Sequence, residues 1–243
     1  MINNSDKTIN LLQLYPRDMN IYGDWGNTLV LKRRLEWHGY SVNLMSYNPG
    51  DEFPENVDLI IGGGGQDSGQ SKIGKDLLSR GPAIKSLADD DVPMLVICGL
   101  YQQFGHFFKT KDGEVIEGIG LLDVETYGGS ERLIGNILTE NEDLGSIVGY
   151  ENHSGQTFLG ANATPLGKVV VGAGNNTKDG YEGARYKNVI GSYMHGSILP
   201  KNPALADYLI EQAVIRKYGD FQPQLIDDRF ANKAREIAAT RPR

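Results

Sequence analysis

Short apolar runs and amphipathic stretches alternate through the first hundred residues. The apolar runs predict strands at residues 8–15, 42–45, 57–61 and 92–97. Between them, the helical spacing of apolar residues predicts one helix at 28–38 and two more within 67–90, separated at Gly81-Pro82. Strands that are apolar on both faces and alternate with helices are typical of a parallel sheet covered on both sides. The chain is therefore predicted to be α/β, with a parallel sheet flanked by helices.

A different pattern follows between Gly118 and Gly174, where short β-prone stretches are separated by glycine and asparagine. These stretches are 132–138, 146–150, 157–159 and 169–171. They predict a β meander added to the sheet. Beyond them we expect a strand and two helices, at 189–193, 203–217 and about 228–240. The last helix is expected to pack on its own domain rather than on a partner. Because no repeat or linker interrupts the pattern, a single domain over residues 1–243 is predicted.

Composition narrows the function classes. With 24 basic and 31 acidic residues among 243, the net charge is −7, and 40% of the residues are apolar. These values argue against collagen, disorder and nucleic-acid binding, so no nucleic-acid partner is expected. The longest apolar runs are well short of the roughly 18–20 residues that span a membrane, and residues 1–7 lack a signal-peptide pattern. We therefore expect a cytoplasmic protein without direct membrane insertion.

Cys98 is the only cysteine, so it forms neither an internal disulfide nor a thiolate zinc cluster, and no metal site is predicted. It follows the strand at 92–97 and directly precedes Gly99, where a helix can begin. In open α/β sheets, ligand sites form at the carboxyl ends of strands, and a helix N-terminus stabilises a thiolate. On this pattern alone, Cys98 is either a catalytic nucleophile or a small buried hydrophobic residue.

Four consecutive glycines, 62–65, end the strand at 57–61. The backbone N–H groups of Gly63 and Gly64, together with that of Gly99, are candidates for holding a developing oxyanion. The alternative is a simple turn, because glycine runs commonly form turns.

His195 is the predicted base among the four histidines, because it follows a buried strand and precedes a glycine. His153 follows a short β stretch and stays an alternative. His38 ends a predicted helix, where it is expected to contact the C-terminal carbonyls. His106 is expected on the helix that follows Cys98, packed beside the neighbouring phenylalanines.

Two blocks of sequence, Ile97-Cys98-Gly99-Leu100-Tyr101-Gln102 and Tyr193-Met194-His195-Gly196, together resemble class I (triad-type) glutamine amidotransferases of the cobyric-acid-synthase-like branch. The resemblance runs from about residue 10 to residue 200. Its further blocks are 20–27, 62–64, 151–153, 174–176 and 195–200. Within this branch, the sequence looks most like the glutaminase subunits of lipid II isoglutaminyl synthases. The resemblance implies a flavodoxin-like parallel sheet.

The same resemblance implies hydrolysis of L-glutamine through a γ-glutamyl thioester, with Cys98 as the nucleophile and His195 as the general base and acid. Gln102 matches a position that touches the substrate. Arg132 matches an arginine placed to hold the substrate glutamine, whose α-carboxylate suits a guanidinium. As alternatives, Gln102 is a helix-capping or solvent-facing residue, and Arg132 is an ordinary surface arginine.

The sequence departs from the wider class at three positions. Val96 and Leu100 replace glycines that many members have two residues on either side of Cys98, which argues against a tight elbow and its oxyanion contact. Ser197 replaces the usual glutamate two residues after the histidine. Either a cysteine-histidine dyad suffices or the orienting carboxylate comes from elsewhere. We hypothesise that an Asp or Glu of the partner subunit supplies it.

ATP is not expected to bind this chain, because no Gly-x-x-x-x-Gly-Lys-Ser/Thr motif is present, and no cofactor is predicted for it. The resemblance implies a heterodimer with a MurT-like Mur ligase subunit that binds ATP and Mg²⁺. That partner would take up the ammonia and amidate the D-glutamate of the lipid II stem peptide in peptidoglycan biosynthesis. Two alternatives are a stand-alone cysteine hydrolase of peptide or γ-glutamyl bonds and a catalytically silent regulatory subunit.

Overall fold

The computed structural model describes residues 6–241. Its strands are β1 (Thr8–Leu14), β2 (Ser41–Tyr47), β3 (Leu59–Gly62), β4 (Met94–Ile97), β5 (Phe107–Lys109), β6 (Val115–Glu117), β7 (Val124–Asn141), β8 (Gly145–Leu159), β9 (Gly167–Val171), β10 (Tyr181–Glu182), β11 (Ala184–Tyr186), β12 (Val189–Ser192) and β13 (Met194–His195). Its α-helices are α1 (Trp25–Trp37), α2 (Asp67–Asp89), α3 (Gly99–Phe104), α4 (Pro203–Tyr218) and α5 (Arg229–Ala239), and a short 3-10 helix spans Leu199–Lys201. Among the helices of residues 6–241, none combines the length and the apolar character that crossing a membrane requires.

A parallel sheet forms the centre of the molecule. Strands β2, β1, β3, β4 and β12 lie side by side in that order, all parallel, and β11 adds an antiparallel edge beside β12. This is the flavodoxin-like strand order. Every residue of β3, β4 and β12 is buried, as expected of strands that are covered on both faces. The predicted α/β class is confirmed, and the carboxyl ends of β1, β3, β4 and β12 share one edge of the sheet.

The β-prone region forms a second, mainly antiparallel sheet rather than further strands of the first. Two long strands, β7 and β8, take in the predicted stretches at 132–138, 146–150 and 157–159, and pair from Val124 opposite Leu159 to Asn141 opposite Gly145, whereas the stretch at 169–171 is confirmed as part of β9. The short strand β13 pairs with β8, with His195 opposite Tyr150. Since β13 follows β12 after one residue, His195 lies where the chain passes from the first sheet to the second.

A glycine inside β8 makes room for β13. A Cβ on Gly149 would stand 2.4 Å from Cβ of Met194. The missing side chain therefore lets β13 approach β8 closely, and this glycine belongs to a strand rather than to a turn.

The predicted break at Gly81-Pro82 is wrong, because α2 runs through both residues. Proline removes one backbone hydrogen bond from a helix interior. Pro82 is exposed, whereas Leu77 and Ile84 are buried on the other side of α2. Burial of that face on both sides of the proline keeps α2 continuous.

The expectations for two histidines are also wrong. His106 follows the end of α3 and is not on a helix, because residues 107–109 pair as β5 between β6 and β7. Its side chain is 46% exposed, and its Nε2 lies 2.9 Å from Oδ1 of Asp123. The side chain of His38 contacts other segments instead of the helix carbonyls, and its Nδ1 accepts the N–H of Gln224 at 3.1 Å.

The C-terminal helix α5 packs on its own chain, against the 3-10 helix, β7 and β8. Just before it, Asp228 accepts a hydrogen bond from Nη1 of the buried Arg34 at 2.6 Å, and Arg34 also binds both carboxylate oxygens of Asp207. No residue of α5 is buried, and Phe230 is 84% exposed.

Candidate active site

Residues from both sheets surround one cavity of about 410 Å³ at the carboxyl edge of the parallel sheet. Cys98 follows β4 of the first sheet and Gln102 lies on α3, whereas Arg132 and His153 belong to β7 and β8 of the second sheet. His195 is buried next to Cys98. A cavity of this size suits a small-molecule ligand.

Cys98 occupies a strained elbow between β4 and α3. Its φ is 50° and its ψ is −103°, a conformation that residues other than glycine rarely adopt. Its N–H donates to the carbonyl of Ser192 at 2.8 Å, and its own carbonyl accepts the N–H of Gln102 at 2.9 Å. Such strain persists only where the surrounding structure enforces it, and it clusters at functional sites.

The space that the elbow needs comes from a glycine on the neighbouring strand. A Cβ on Gly62 would stand 2.4 Å from Cδ1 of Leu100 and 3.4 Å from Cγ1 of Val96. The side chains of Val96 and Leu100 therefore fill the room that Gly62 leaves in β3. Replacement of the two glycines around Cys98 does not prevent the elbow, contrary to the expectation from the sequence.

Cys98 and His195 are both uncharged in the resting site. Burial raises the pKa of the Cys98 thiol to about 12, and the charge of Asp24 adds to the rise. The N–H of Gly99, at the start of α3, and the charge of Arg132 lower the pKa of the thiol, but burial outweighs them. Burial also lowers the pKa of His195 to about 3, and nearby positive charge adds to the fall. The thiol can therefore become a thiolate only by passing its proton to a base as it reacts.

One carboxylate of the chain lies beside the histidine. Asp24 follows β1 at the same sheet edge, and its Oδ1 lies 3.9 Å from Nδ1 of His195, with each side chain 2% exposed. Its Oδ2 accepts the N–H of Gly64 at 2.7 Å. Burial raises the pKa of Asp24 to about 6, against the Gly64 N–H, which lowers it. Sequence reasoning included Asp24 in a family block without giving it a role, because Asp24 lies ten residues beyond the end of β1 in a loop.

Gly64 packs between the two catalytic candidates. A Cβ on Gly64 would stand 2.8 Å from Cε1 of His195 and 3.1 Å from Cβ of Cys98. A Cβ on Gly63 would stand 2.4 Å from the carbonyl oxygen of Met19. The glycine run thus allows a close approach of backbone to the site, beyond forming a turn.

The predicted oxyanion donors differ in their hydrogen bonds. The N–H of Gly99 lies close enough to the sulfur of Cys98 to lower its pKa. The N–H of Gly64 already donates to Asp24. The next residue, Gly65, has its nitrogen 3.1 Å from the point where a Cβ of Gly99 would stand. Gly65 is therefore a further candidate donor, one that sequence reasoning did not single out.

Arg132 lies at the rim of the cavity, where the register between β7 and β8 shifts. Its Nε donates to Oδ1 of Asn152 at 2.6 Å, and its Nη2 donates to the hydroxyl of Tyr22 at 2.9 Å. Both partners are neutral, so the guanidinium is oriented without losing its charge. The ring of Tyr22 also meets the ring of His195 edge-on, with centroids 4.4 Å apart.

Gln102 lies in the wall of the cavity with both ends of its amide engaged. Its Oε1 accepts from Nε2 of Gln70 at 2.8 Å, and its Nε2 donates to the hydroxyl of Tyr193 at 3.0 Å. Gln70 also donates to the carbonyl of Gly99 at 3.0 Å. Gln102 is thus neither solvent-facing nor a helix cap, and its amide holds the elbow together. Gln70, which also lines the cavity, was not found from the sequence.

His153 also lies in the wall of the cavity, where its ring is fixed. Its ring stacks on that of Tyr193 with centroids 3.6 Å apart, and its Nδ1 lies 2.7 Å from the carbonyl oxygen of Gly155. Burial lowers the pKa of His153 to about 4. Of the two histidines, His195 is the one that packs beside Gly64 together with Cys98.

Comparison with known proteins identifies the class. Residues 10–203 match the family of CobB/CobQ-like glutamine amidotransferase domains, and the chain belongs to this family. The family inferred from the sequence blocks is confirmed. The fold is also similar to that of a solved glutamine amidotransferase, with a TM-score of 0.58 and 18% identity, over 83% of this chain and 98% of the other.

Two relatives are similar over nearly their whole length. The chain is 40% identical over 225 residues to the lipid II isoglutaminyl synthase (glutamine-hydrolyzing) subunit GatD of Staphylococcus aureus strain N315, covering 92% of this chain and 91% of the relative. It is also 40% identical over 232 residues to the subunit of the same name from Streptococcus pneumoniae strain R6, covering 94% and 89%.

Proposed function

We propose that this chain hydrolyses L-glutamine to glutamate and ammonia, as the glutaminase subunit of a lipid II isoglutaminyl synthase. The observation that carries the proposal is an exposed guanidinium, that of Arg132, on the same small cavity as a strained cysteine with a buried histidine beside it. The names of the two GatD relatives, each 40% identical to this chain, include glutamine hydrolysis.

Arg132 selects the substrate in this proposal. Its charged fork, held by Asn152 and Tyr22, binds the α-carboxylate of free glutamine at the cavity rim. The side chain of the substrate then extends inward, so that its γ-carboxamide meets Cys98. The anionic α-carboxylate then lies at the rim beside the positive charge of Arg132. The neutral γ-carboxamide lies at the buried end, beside the uncharged Cys98.

The chemistry begins from the neutral pair. As Sγ of Cys98 attacks the γ-carbonyl carbon, its proton passes to His195, and the N–H groups of Gly99 and Gly65 hold the developing oxyanion. His195 returns the proton to the amide nitrogen, the C–N bond breaks, and ammonia leaves. Water then gives a proton to His195 and attacks the γ-glutamyl thioester, the C–S bond breaks to release glutamate, and His195 returns the proton to Sγ and so restores the thiol.

The ammonia goes to a second protein. We propose that a MurT-like Mur ligase subunit, which binds ATP and Mg²⁺, uses it to amidate the α-carboxyl of D-glutamate in the lipid II stem peptide. The names of the two relatives support a partner, because each describes one subunit of a synthase. A cytoplasmic location belongs to the same proposal, since the ligase consumes ATP.

Ammonia release from L-glutamine tests the proposal, measured for the purified chain alone and with a MurT-like subunit, ATP and lipid II. Cys98→Ala is expected to abolish release, and His195→Ala to lower kcat by roughly 10²–10⁴-fold. His106→Ala is the matched control, because His106 is exposed and outside the site. It is expected to keep wild-type activity.

Three outcomes would contradict parts of this proposal. If neither preparation of the wild type releases ammonia, glutamine is not the substrate. If the chain alone cleaves γ-glutamyl peptides as fast as glutamine, it is a stand-alone hydrolase. If ammonia is released but no amidated lipid II forms with the partner, the assignment of the acceptor is wrong.

A further inference from the structure

We propose that Asp24 is the carboxylate that positions His195, so that the triad is completed within this chain. The inference rests on the proposed glutaminase function, because it concerns the base of that reaction. It differs from the hypothesis drawn from the sequence, in which the partner subunit supplies the acid.

Unpartnered polar atoms are the first observation. Within residues 6–241, Oδ1 of Asp24 and both ring nitrogens of His195 are buried and make no hydrogen bond. Buried polar atoms are nearly always hydrogen-bonded, and an exception calls for an explanation. Two of these atoms face each other at 3.9 Å. A shift of about 1 Å would bring Oδ1 and Nδ1 into hydrogen-bond range.

The carboxylate is also turned away from its expected local role. Asp24 is the N-cap residue of α1, a position where aspartate commonly accepts hydrogen bonds from the first turn. Here the side chain of Asp24 makes no such bond, and Oδ1 of Asn20 accepts the N–H of Trp25 instead, at 2.8 Å. Capping is therefore left to a neighbour, and the carboxylate of Asp24 is directed to the site.

The second oxygen of Asp24 is anchored to the glycine run. Oδ2 accepts the N–H of Gly64, whose Cα packs against both His195 and Cys98. One carboxylate thus fixes the peptide that separates base and nucleophile. The bond fixes the Gly63–Gly64 peptide, which directly precedes the peptide that carries the N–H of Gly65, a candidate oxyanion donor.

Ser197 provides a separate line of support. It replaces the glutamate that the wider class has two residues after the histidine, and its Oγ donates to the carbonyl of Gly23 at 2.8 Å. A Cβ on Gly26 would stand 2.2 Å from this Oγ. Ser197 therefore ties the segment around Asp24 to the segment that carries His195. In the wider class this position supplies the acid. In this chain, Ser197 instead holds the loop that carries Asp24.

Other buried carboxylates near the site are engaged elsewhere. Oε1 of Glu182 accepts from the hydroxyl of Ser192 and from the N–H of Tyr193. Glu151 accepts the N–H groups of Ala173 and Gly174. Among the residues that the structure describes, Asp24 supplies the one carboxylate within 4.0 Å of a ring nitrogen of His195.

Asp24→Asn removes the charge of the side chain but keeps its shape, and the amide oxygen can still accept the Gly64 N–H. We expect kcat for L-glutamine hydrolysis to fall at least 100-fold, with KM changed less than about threefold, because Arg132 is untouched. The drop should be the same with and without the ligase subunit. Asp18→Asn is the matched control: Asp18 lies in the same loop and pairs with the exposed Lys72, so kcat should be unchanged.

A second readout needs no glutamine turnover. The rate of Cys98 alkylation by iodoacetamide reports how readily His195 accepts the thiol proton, and Asp24→Asn should slow it at least tenfold, because the weaker base outweighs the loss of a charge that raises the pKa of the thiol. Ser197→Ala should slow turnover less than Asp24→Asn, and the double variant should be no slower than Asp24→Asn alone, since both act through one carboxylate. Circular dichroism confirms that each variant is folded.

The results separate the two proposals. A wild type that releases no ammonia, but whose alkylation slows on Asp24→Asn, overturns the glutaminase assignment and keeps the positioning role. An active wild type whose kcat and alkylation rate stay within threefold in folded Asp24→Asn overturns the positioning role and keeps the glutaminase. If Asp24→Asn loses activity only when the ligase subunit is absent, the partner supplies the acid.

Discussion

The buried end and the rim of the cavity hold their polar groups in opposite ways. At the buried end, the parallel sheet brings Cys98, Gly64 and Asp24 to its carboxyl edge and β13 brings His195, and Oδ1 of Asp24 and both ring nitrogens of His195 lack partners. The antiparallel sheet brings Arg132 and Asn152, which lie at the accessible rim and bond to each other.

The difference shows how one small cavity handles two demands. A reacting pair gains from exclusion of water, because electrostatic interactions between its atoms are then stronger. A group that captures a charged ligand must stay accessible and keep its charge. Burial on one side and exposure on the other satisfy both, and three changes test this division.

The largest effect is expected from Gly64→Ala, which alters the buried end of the cavity. The new Cβ would stand 2.8 Å from Cε1 of His195, so the base and Cys98 must move apart. Misplacement of about 1 Å can cost roughly 10²-fold, so kcat should fall by at least that factor while the protein stays folded. Steady-state glutamine hydrolysis measures it.

Gly74→Ala is the control for that variant. A Cβ on Gly74, within α2, would meet Nε2 of Gln103 at 3.5 Å, an ordinary contact, and alanine suits a helix better than glycine. Its kcat should be unchanged. A Gly64→Ala enzyme with wild-type kcat would show that the pair is not held as tightly as the packing indicates.

A smaller effect is expected from Arg132→Met, which alters the exposed rim of the cavity. Loss of a charge-assisted bond worth about 1.5–3 kcal/mol should raise KM for glutamine roughly 10–100-fold and leave kcat within a few-fold. Arg132→Lys should fall between, because it keeps the charge without the fork. Arg33→Met, at an exposed arginine on α1, is the control. A fall in kcat with unchanged KM would mean that Arg132 acts on the chemistry rather than on binding.

The smallest effect concerns stability and sharpens the comparison. The pKa of Asp24 is raised from 3.8 to about 6 in the folded chain, so the folded state holds this proton more tightly than the unfolded one. Stability from this group is therefore lost as pH rises from about 4 to 6. At pH 7.5, Asp24→Asn should raise the free energy of unfolding by about 1 kcal/mol, less than the ~3 kcal/mol of a full two-unit shift, because the buried amide also loses water.

Urea unfolding at pH 7.5 and pH 4 measures this gain. At pH 4, where Asp24 is protonated in the folded chain, the gain should turn into a loss of about 1–2 kcal/mol, because the cost of burying the amide is no longer offset. A gain of equal size at both pH values would mean that the substitution acts through packing and not through the charge. Asp18→Asn, at an ion-paired residue, should give no gain at either pH.

Local sequence predicted the parts of the site that lie at the ends of buried strands. Cys98 follows β4 and His195 follows β12, so the strand pattern was enough to place both at one edge. The pattern was not enough for Asp24, because it lies ten residues beyond β1 in a loop without periodicity, and only the folded loop brings it to His195.

Long-range pairing accounts for most of the other differences. The short β-prone stretches become two long strands only because β7 and β8 pair with each other along their length. The hydrogen bonds of Gln102 to Gln70 and Tyr193 join three separate segments of the chain, and no spacing in the sequence predicts them. At Pro82 a local rule failed, because burial of one face of α2 outweighs one missing hydrogen bond.

The passage of the chain from β12 into β13 has a consequence for a protein still being made. Cys98 belongs to the sheet built mainly from the first hundred residues, whereas His195 is held by a strand that pairs with β8. A nascent chain therefore carries its thiol long before it carries the imidazole that can take the proton. In the mechanism proposed here, such a chain does not hydrolyse glutamine, and hydrolysis starts only when the two sheets have docked.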